Sequence, residues 1–417
     1  MFRWAPVRSS AVTVRTIGVE ERRARLAVRH RLAPSARADD DVAAIAADVV
    51  VLHATDPATV VISALVRMAH PDAAAVERAL YDDRSVVRML GMRRTLFTTP
   101  VDLAPVIHAS STLAVAADER RKLEALIEAA ELASPAGPWL RRLEHKTLAA
   151  LEELGEAEAR ELTAKVKELG RKVVVAPGTR NAANVNLTSR VLLLLGADGK
   201  VVRGRPRGRW TSSQHVWAPL DRWLGAPLAE LDPVEAKVTL ARRWLERFGP
   251  GTVGDLKWWT GWTLGATRAA VAALDTVAVD LDGEEGLVLA GDDAPVTSPE
   301  PWAALLPGLD PTAMGWSARD WYLPPEYRPS VMDRSGNIGP TVWVDGRVVG
   351  GWGMRKDGEI VVQLLEDVGR DRERLVGTAV RDLQRALGDI RVTPRFPAPL
   401  DRQLVADPTP ITAFWRD

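Results

Sequence analysis

The sequence predicts a mostly α-helical chain carrying short β ribbons, with a β-rich unit near its C-terminal end. Three observations predict it. Apolar residues recur at helical spacing through the first two thirds of the 417 residues. Groups of helical stretches are each followed by two short apolar runs around a turn. Beyond residue 300, Asp-Gly pairs separate apolar runs, the strongest short-range hairpin signal.

Taken in order, Glu20 to Leu32 is a charged helix ending before Pro34. Asp39, Asp40 and Asp41 suit a helix N-terminus. Val42, Ile45, Ala46 and Val49 then follow an i, i+3, i+4, i+7 pattern. Asp56-Pro57 starts the next helix, with Asp as N-cap and Pro at the first helical position. His70-Pro71-Asp72 breaks it, and Ala73 to Leu80 is helical. Val86 to Thr99 reads as two strands around Gly91-Met92. Helices followed by a two-stranded ribbon is the winged-helix order, a relative of the helix-turn-helix.

The pattern recurs. Glu119–Glu131, Pro138–Leu151 and Glu156–Leu169 read as helices, and Lys172–Ala176, Val185–Leu195 and Val201–Arg203 as strands. A third unit has a helix over Pro233–Phe248, Thr252 as an N-cap, a helix over Leu264–Leu274, and a ribbon of Val277–Leu281 and Leu287–Leu289 around Asp282-Gly283. Past the linker Asp292–Pro301, Thr341–Val349 and Trp352–Leu364 form hairpins turning at Asp345-Gly346 and Asp357-Gly358, and Arg372–Leu387 is an amphipathic helix. The expected architecture is tandem winged-helix (helix-turn-helix) domains plus a C-terminal β-barrel-like domain. The expected divisions are 1–115, 116–230, 231–295 and 301–405, with 406–417 as a tail.

Composition narrows the function. Hydrophobic residues make up 46% and charged residues 26%, ordinary for a globular protein, so wholesale disorder is excluded. No apolar run approaches a membrane span; Val191 to Leu195, the most hydrophobic candidate, is far too short. Met1 to Ser10 has no apolar signal-peptide core, so a cytoplasmic protein is expected. With no cysteine, thiolate zinc sites, disulfides and Cys nucleophiles are excluded, and the six histidines show no metal-ligand spacing. No cofactor is expected. Gly249-x-Gly251-x-x-Gly254 follows a helix rather than a strand and is set aside as a dinucleotide loop. The net charge of zero hides a division: residues 164–217 carry eleven Lys or Arg against two acids, and residues 269–300 carry eight acids and no base.

Four stretches resemble the winged-helix DNA glycosylases of the AlkZ/YcaQ type. They are His53-Ala54-Thr55-Asp56-Pro57, Val201–Gln214, Phe248–Gly261, and Asn337-Ile338-Gly339-Pro340 running on to Trp352. The resemblance implies winged helices and a β domain curled around a DNA channel. It also implies a monofunctional glycosylase hydrolysing the N-glycosidic bond of alkylated purines, including bulky adducts and crosslinks in some members. Members carry Gln-x-Gln or Gln-x-Asp as the catalytic motif. His53 and Thr55 stand at those positions here, and none of the four glutamines precedes Gln214.

Residues two apart share a face in extended chain, so His53 and Thr55, just ahead of the Asp56-Pro57 helix start, converge on one point. An imidazole of ordinary pKa, about 6.5, accepts a water's proton, a contribution of roughly 10²–10⁴ in rate. Thr55 holds the same water or helps with the developing sugar cation, and an alkylated purine leaves without much acid assistance. Asp56 reads as a cap. The same residues also fit a hydrogen-bonded histidine and a second cap.

Lys200, Arg203, Arg205, Arg207 and Arg209, interspersed with Gly204, Pro206 and Gly208 and followed by Trp210, read as an irregular segment following phosphates, with Trp210 stacking on a base. A solvated wing is the alternative. Arg88, Arg93 and Arg94 are weaker DNA-contact candidates, and Asn337 is a possible lesion-pocket residue. Trp258, Trp259 and Trp262 read as core. The expected partner is double-stranded DNA, alkylated or adducted, bound by a monomer. The competing readings are a noncatalytic lesion binder or transcriptional regulator, and a protein-interaction module.

Overall fold

The computed structural model describes residues 14–406 apart from 38, 39, 177, 180, 181 and 213. The expectations for Met1–Ser10, for Asp39 and for the tail beyond Ala406 lie outside the described residues. Helices dominate, joined by small sheets.

In the first segment, helix Val19–Arg29 packs ahead of Val42–Asp48, which Asp41 caps through the amides of Ala43 and Ala44. Helix Pro57–Leu65 begins where expected: Asp56 is extended, and its carboxylate accepts from the Ala58 amide. The ribbon has a third strand that the sequence pattern concealed. Leu52–His53 pairs antiparallel with Leu96–Pro100, which pairs in turn with Val86–Leu90. His53 thereby sits on a sheet edge directly opposite Phe97.

The second segment corrects one expectation. Val185–Leu195 is not a strand: Ala183–Asn186 pairs with Lys172–Val175, and Leu187–Ala197 is a helix. Its core-facing run, Val191 to Leu195, is mostly leucine and shows no period, so periodicity could not separate strand from buried helix. The Lys200–Trp210 segment is also more regular than its Gly and Pro content suggested. Val201–Pro206 is a strand against His215–Pro219, with a register shift between Arg203 and Pro206.

The third segment forms as expected. Asp232 caps helix Pro233–Phe248, and Thr252 and Asp255 form a capping box at Val253–Thr260. Strands Thr276–Asp280 and Glu285–Leu289 pair across Asp282-Gly283, with Arg15–Thr16 added in parallel. The C-terminal unit has the expected hairpins, but its sheet is open rather than barrel-like. Ala303–Leu306, Thr341–Val344, Arg347–Met354 and Ile360–Leu364 pair in sequence, and the two outer strands do not meet. Four strands are too few to close around a filled interior, which takes about eight. Helices Arg370–Leu387 and Pro399–Ala406 pack against this sheet instead.

One core runs through the first, third and C-terminal segments, from Leu26 to Leu404, and takes in Val202, Trp210 and Trp223 of the second, whereas Leu123 to Val201 builds a core of its own. At the centre of the first lies a buried ion pair. Arg67 and Asp310 are both fully inaccessible, and the two guanidinium amines meet the two carboxylate oxygens at 2.9 and 2.7 Å. Ser63 donates to Asp310 at 2.7 Å, Arg67 also donates to Thr312 at 2.8 Å, and Thr312 joins His30 Nδ1 at 2.9 Å. His30 Nε2 in turn meets the Arg247 carbonyl at 3.0 Å. Breaking a buried pair on one side strands the other charge. Arg67→Met alone therefore costs about 3–5 kcal/mol, and Arg67→Met with Asp310→Asn recovers more than half of it. Urea denaturation checks both; a single-variant cost under about 1 kcal/mol would mean that the pair is solvated in solution.

Candidate active site

The stretch from His53 to Asp56 leaves the sheet edge and enters helix Pro57–Leu65. Two anchors fix its path. The Asp56 carboxylate accepts from the Ala58 amide at 2.9 Å and from the Arg395 amide at 2.8 Å, so Asp56 is a cap. Thr59 donates to the Gly308 carbonyl at 2.7 Å, tying the first helical turn to the C-terminal segment.

His53 is 8% exposed and meets the Phe97 ring edge-on, with centroids 5.5 Å apart. Burial pushes its imidazole down to about 3, and the positive charge of Arg93 adds to this. The ring is therefore neutral at physiological pH. Its Nδ1 faces the Thr55 amide at 3.4 Å and can only accept there, which puts the ring proton on Nε2. Nε2 has no hydrogen-bond partner among the described residues and is not sealed from solvent. Thr55 is half-buried, and its hydroxyl likewise has no partner among the described residues. The expectation of a base with ordinary pKa is thus corrected. Desolvation makes His53 a poor proton acceptor and leaves it a donor at Nε2.

Around this segment lie cations and one aromatic ring. Arg93 and Arg94 are consecutive residues with left-handed φ of 53° and 58°, a strained turn for side chains with a Cβ. Arg93 lies over the Trp258 ring at 4.3 Å, and Arg319 lies over the same ring at 5.0 Å. Trp258 is half-buried and Trp259 and Trp262 are buried in the core. Arg94 pairs with Glu119 at 2.9 Å. Arg319 was missed by sequence reasoning, since it lies 226 positions from Arg93 and no local pattern marks it.

The basic segment is distributed differently from the sequence expectation. The Lys200 side chain is exposed, and Arg203 lies half-buried over Trp217 at 5.2 Å. Arg205 makes a two-pronged pair with Asp82 at 2.8 Å, Arg207 meets Glu158 at 2.6 Å and Glu161 at 3.1 Å, and Arg209 meets Asp389 at 2.8 Å. Such exposed pairs are weak and exchange readily for phosphate. Trp210 is 3% exposed and belongs to the core, so its indole is not presented to a base. Asn337 is turned inward on its own loop, donating to Asp333 at 2.9 Å. Among the described residues, no group of three or more His, Asp or Glu is placed to hold a metal ion, and no helix is long and apolar enough to cross a membrane.

The structure thus brings together a neutral histidine and, two residues on, a threonine hydroxyl without a partner among the described residues, with Arg93 close by. Comparison with known proteins gives the class. A profile of the family described as DNA glycosylase AlkZ-like matches residues 46–386, most of the chain. The chain belongs to the AlkZ-like DNA glycosylase family. An interstrand DNA cross-link repair glycosylase of Streptomyces sahachiroi is 30% identical over 175 residues, 40% of this chain. That match spans about half of the relative's length, 46%. The solved structure of the Streptomyces sahachiroi DNA glycosylase AlkZ shares the fold, with a TM-score of 0.69 at 22% identity, covering 91% of this chain and 99% of that one.

The histidine has a measurable signature. Its folded pKa lies below the unfolded value, so between about pH 6.5 and 3 the unfolded chain takes up a proton that the folded chain refuses. The stability this contributes is present above pH 6.5 and is lost as the pH falls through that window. His53→Gln reduces the pH-dependence of unfolding free energy near pH 5 by about 1.4 kcal/mol per pH unit. Urea melts from pH 4.5 to 7.5 check it; an unchanged slope would mean that His53 is solvated.

Proposed function

We propose that this protein is a monofunctional DNA glycosylase that hydrolyses the N-glycosidic bond of N3- or N7-alkylated purines or bulky purine adducts in duplex DNA. His53 and Thr55 hold the attacking water. The observation that carries this reading is that His53 Nε2–H and the Thr55 hydroxyl, two residues apart, both lack a protein partner among the described residues. Family membership and the cross-link repair activity printed for the Streptomyces sahachiroi relative support the reaction class.

The chemistry follows from the charges. An alkylated purine is cationic and leaves as a neutral base, so no strong general acid is required. The sugar left behind is a cation that water attacks with little base assistance. A neutral His53 suits this: Nε2–H donates to one lone pair of the water, the Thr55 hydroxyl accepts one of its hydrogens, and the free lone pair points at the anomeric carbon. The proton then leaves to bulk solvent. The Asp56 carboxylate is occupied by two backbone amides, so the sugar cation is stabilised chiefly by the flanking phosphodiesters. Arg93, Arg94, Lys200, Arg203, Arg205, Arg207 and Arg209 neutralise the DNA backbone, and the helix-and-ribbon units act as winged helices around the duplex. Asn337 lines the lesion pocket only if its loop opens; Trp210 has a packing role.

The reading is tested with duplex DNA containing N7-methylguanine. His53→Ala lowers single-turnover formation of abasic sites about 10²-fold, the scale for removing one preorganised donor, while duplex affinity stays within about twofold. Equal excision rates would refute the assignment. The wild-type rate stays level between pH 5.5 and 8, because the ring does not titrate there; a fall centred near pH 6.5 would restore His53 as a general base.

A further inference from the structure

Arg88 lies in strand Val86–Leu90, directly across from Thr98, and is 5% exposed. Its guanidinium has one polar contact, the Tyr81 hydroxyl at 3.4 Å, and its buried Nε has no partner. The Thr98 hydroxyl is also buried without a partner. Arg203 stacks on Trp217 and makes no hydrogen bond among the described residues. The Arg395 guanidinium reaches only the Thr55 carbonyl, at 3.5 Å. Among the described residues, no carboxylate pairs with any of the three arginines, though Asp56 accepts from the Arg395 main chain. By contrast, buried Arg25 and Arg67 each face a carboxylate.

Arg88 and Arg203 line one opening, and Arg395, itself exposed, lies close enough to add its positive charge. Burial, then Arg88 and Arg395, lower Arg203 to about 10, and burial together with Arg88, Arg203 and Arg395 holds His215 down at about 3, hence neutral. A buried cation without a counter-ion costs several kcal/mol, so the fold holds a concentration of positive charge that it does not itself neutralise. Arg88, Arg203 and Trp217 line an opening of about 30 Å³ together with apolar residues of strands Val86–Leu90 and Val201–Pro206 and of helix Leu187–Ala197. That is one water's share of liquid volume, enough for one phosphate oxygen with the rest of the group outside among Arg203 and Arg395.

We propose that Arg88, Arg203 and Arg395 form a binding site for one phosphate of the DNA backbone, with the Thr98 hydroxyl as an additional donor. The cross-strand register sets its place. Arg88 and Thr98 share a row with Leu52, one residue from the His53–Phe97 row and on the opposite face of the sheet. Arg395 bridges to the site by touching Thr55. A phosphate gripped here fixes the strand beside the His53–Thr55 segment, so these are positioning residues. The proposal rests on the reading that the chain binds DNA.

Arg88→Met and Arg203→Met test it in the full chain, with inorganic phosphate and with duplex DNA as separate probes. Phosphate, but not chloride at equal ionic strength, raises the wild-type melting temperature, and neither variant responds. Both variants melt at or above the wild-type temperature without phosphate, because an uncompensated charge has been removed. Each loses about tenfold in duplex affinity, and the salt slope of binding falls by about one. A variant that keeps the phosphate response and the duplex affinity overturns the proposal, and so does a variant that melts well below wild type, since its arginine would then be holding the fold. Loss of the phosphate response with duplex affinity unchanged overturns the DNA backbone as the source of the anion. A wild type that answers phosphate but binds no duplex defeats the DNA-binding reading while leaving the anion site standing.

Discussion

The buried pair of Arg67 and Asp310 is the constraint on which the site geometry depends. Through Ser63, Thr312 and His30 it joins the end of helix Pro57–Leu65, the loop after Pro307, the end of helix Val19–Arg29 and the carbonyl of Arg247. Charges this deep tolerate little displacement, because each depends on the other for its solvation. The start of the same helix carries Asp56 and Thr59, bonded to Arg395 and Gly308. The His53–Thr55 stretch thus hangs between a sheet edge and a helix held at both ends against the C-terminal segment.

That rigidity is what the proposed reading needs in order to dispense with the amide pair of the family motif. A water needs partners at fixed positions rather than particular residue types. An imidazole locked by the Thr55 amide offers an N–H at Nε2, and a threonine hydroxyl offers an acceptor, between them the donor and acceptor of a glutamine side chain. Burial against Phe97 and the charge of Arg93 keep the ring neutral, so the donor is present at every physiological pH. On the proposed reading the electrostatic load falls on the substrate, whose cationic base and anionic backbone would supply the charges that the protein does not.

Much of this was legible in the sequence where one local interaction decides the outcome. Asp56-Pro57 and Thr252 declare their helices by capping chemistry, and Asp345-Gly346 declares its hairpin. The His53-x-Thr55 segment was read as extended chain, whereas the strand ends at His53 and the chain bends at Thr55. What failed was whatever tertiary contact decides. The run Val191–Leu195 carried no period, Trp210 looked exposed among arginines but is buried, and four strands near the C-terminus left a sheet open. The histidine pKa was misjudged because desolvation is a property of packing. Arg319 and Arg395 reach the site from the far end of the chain and leave no local mark.

The account turns on the state of one ring. Nitrogen NMR of selectively labelled histidine in the intact protein reads tautomer and titration of His53 together, assigned by its loss in His53→Gln. A neutral ring protonated at Nε2, unchanged from pH 8 down to pH 5, is what the structure predicts. A ring titrating near pH 6.5, or carrying its proton on Nδ1, would contradict the account.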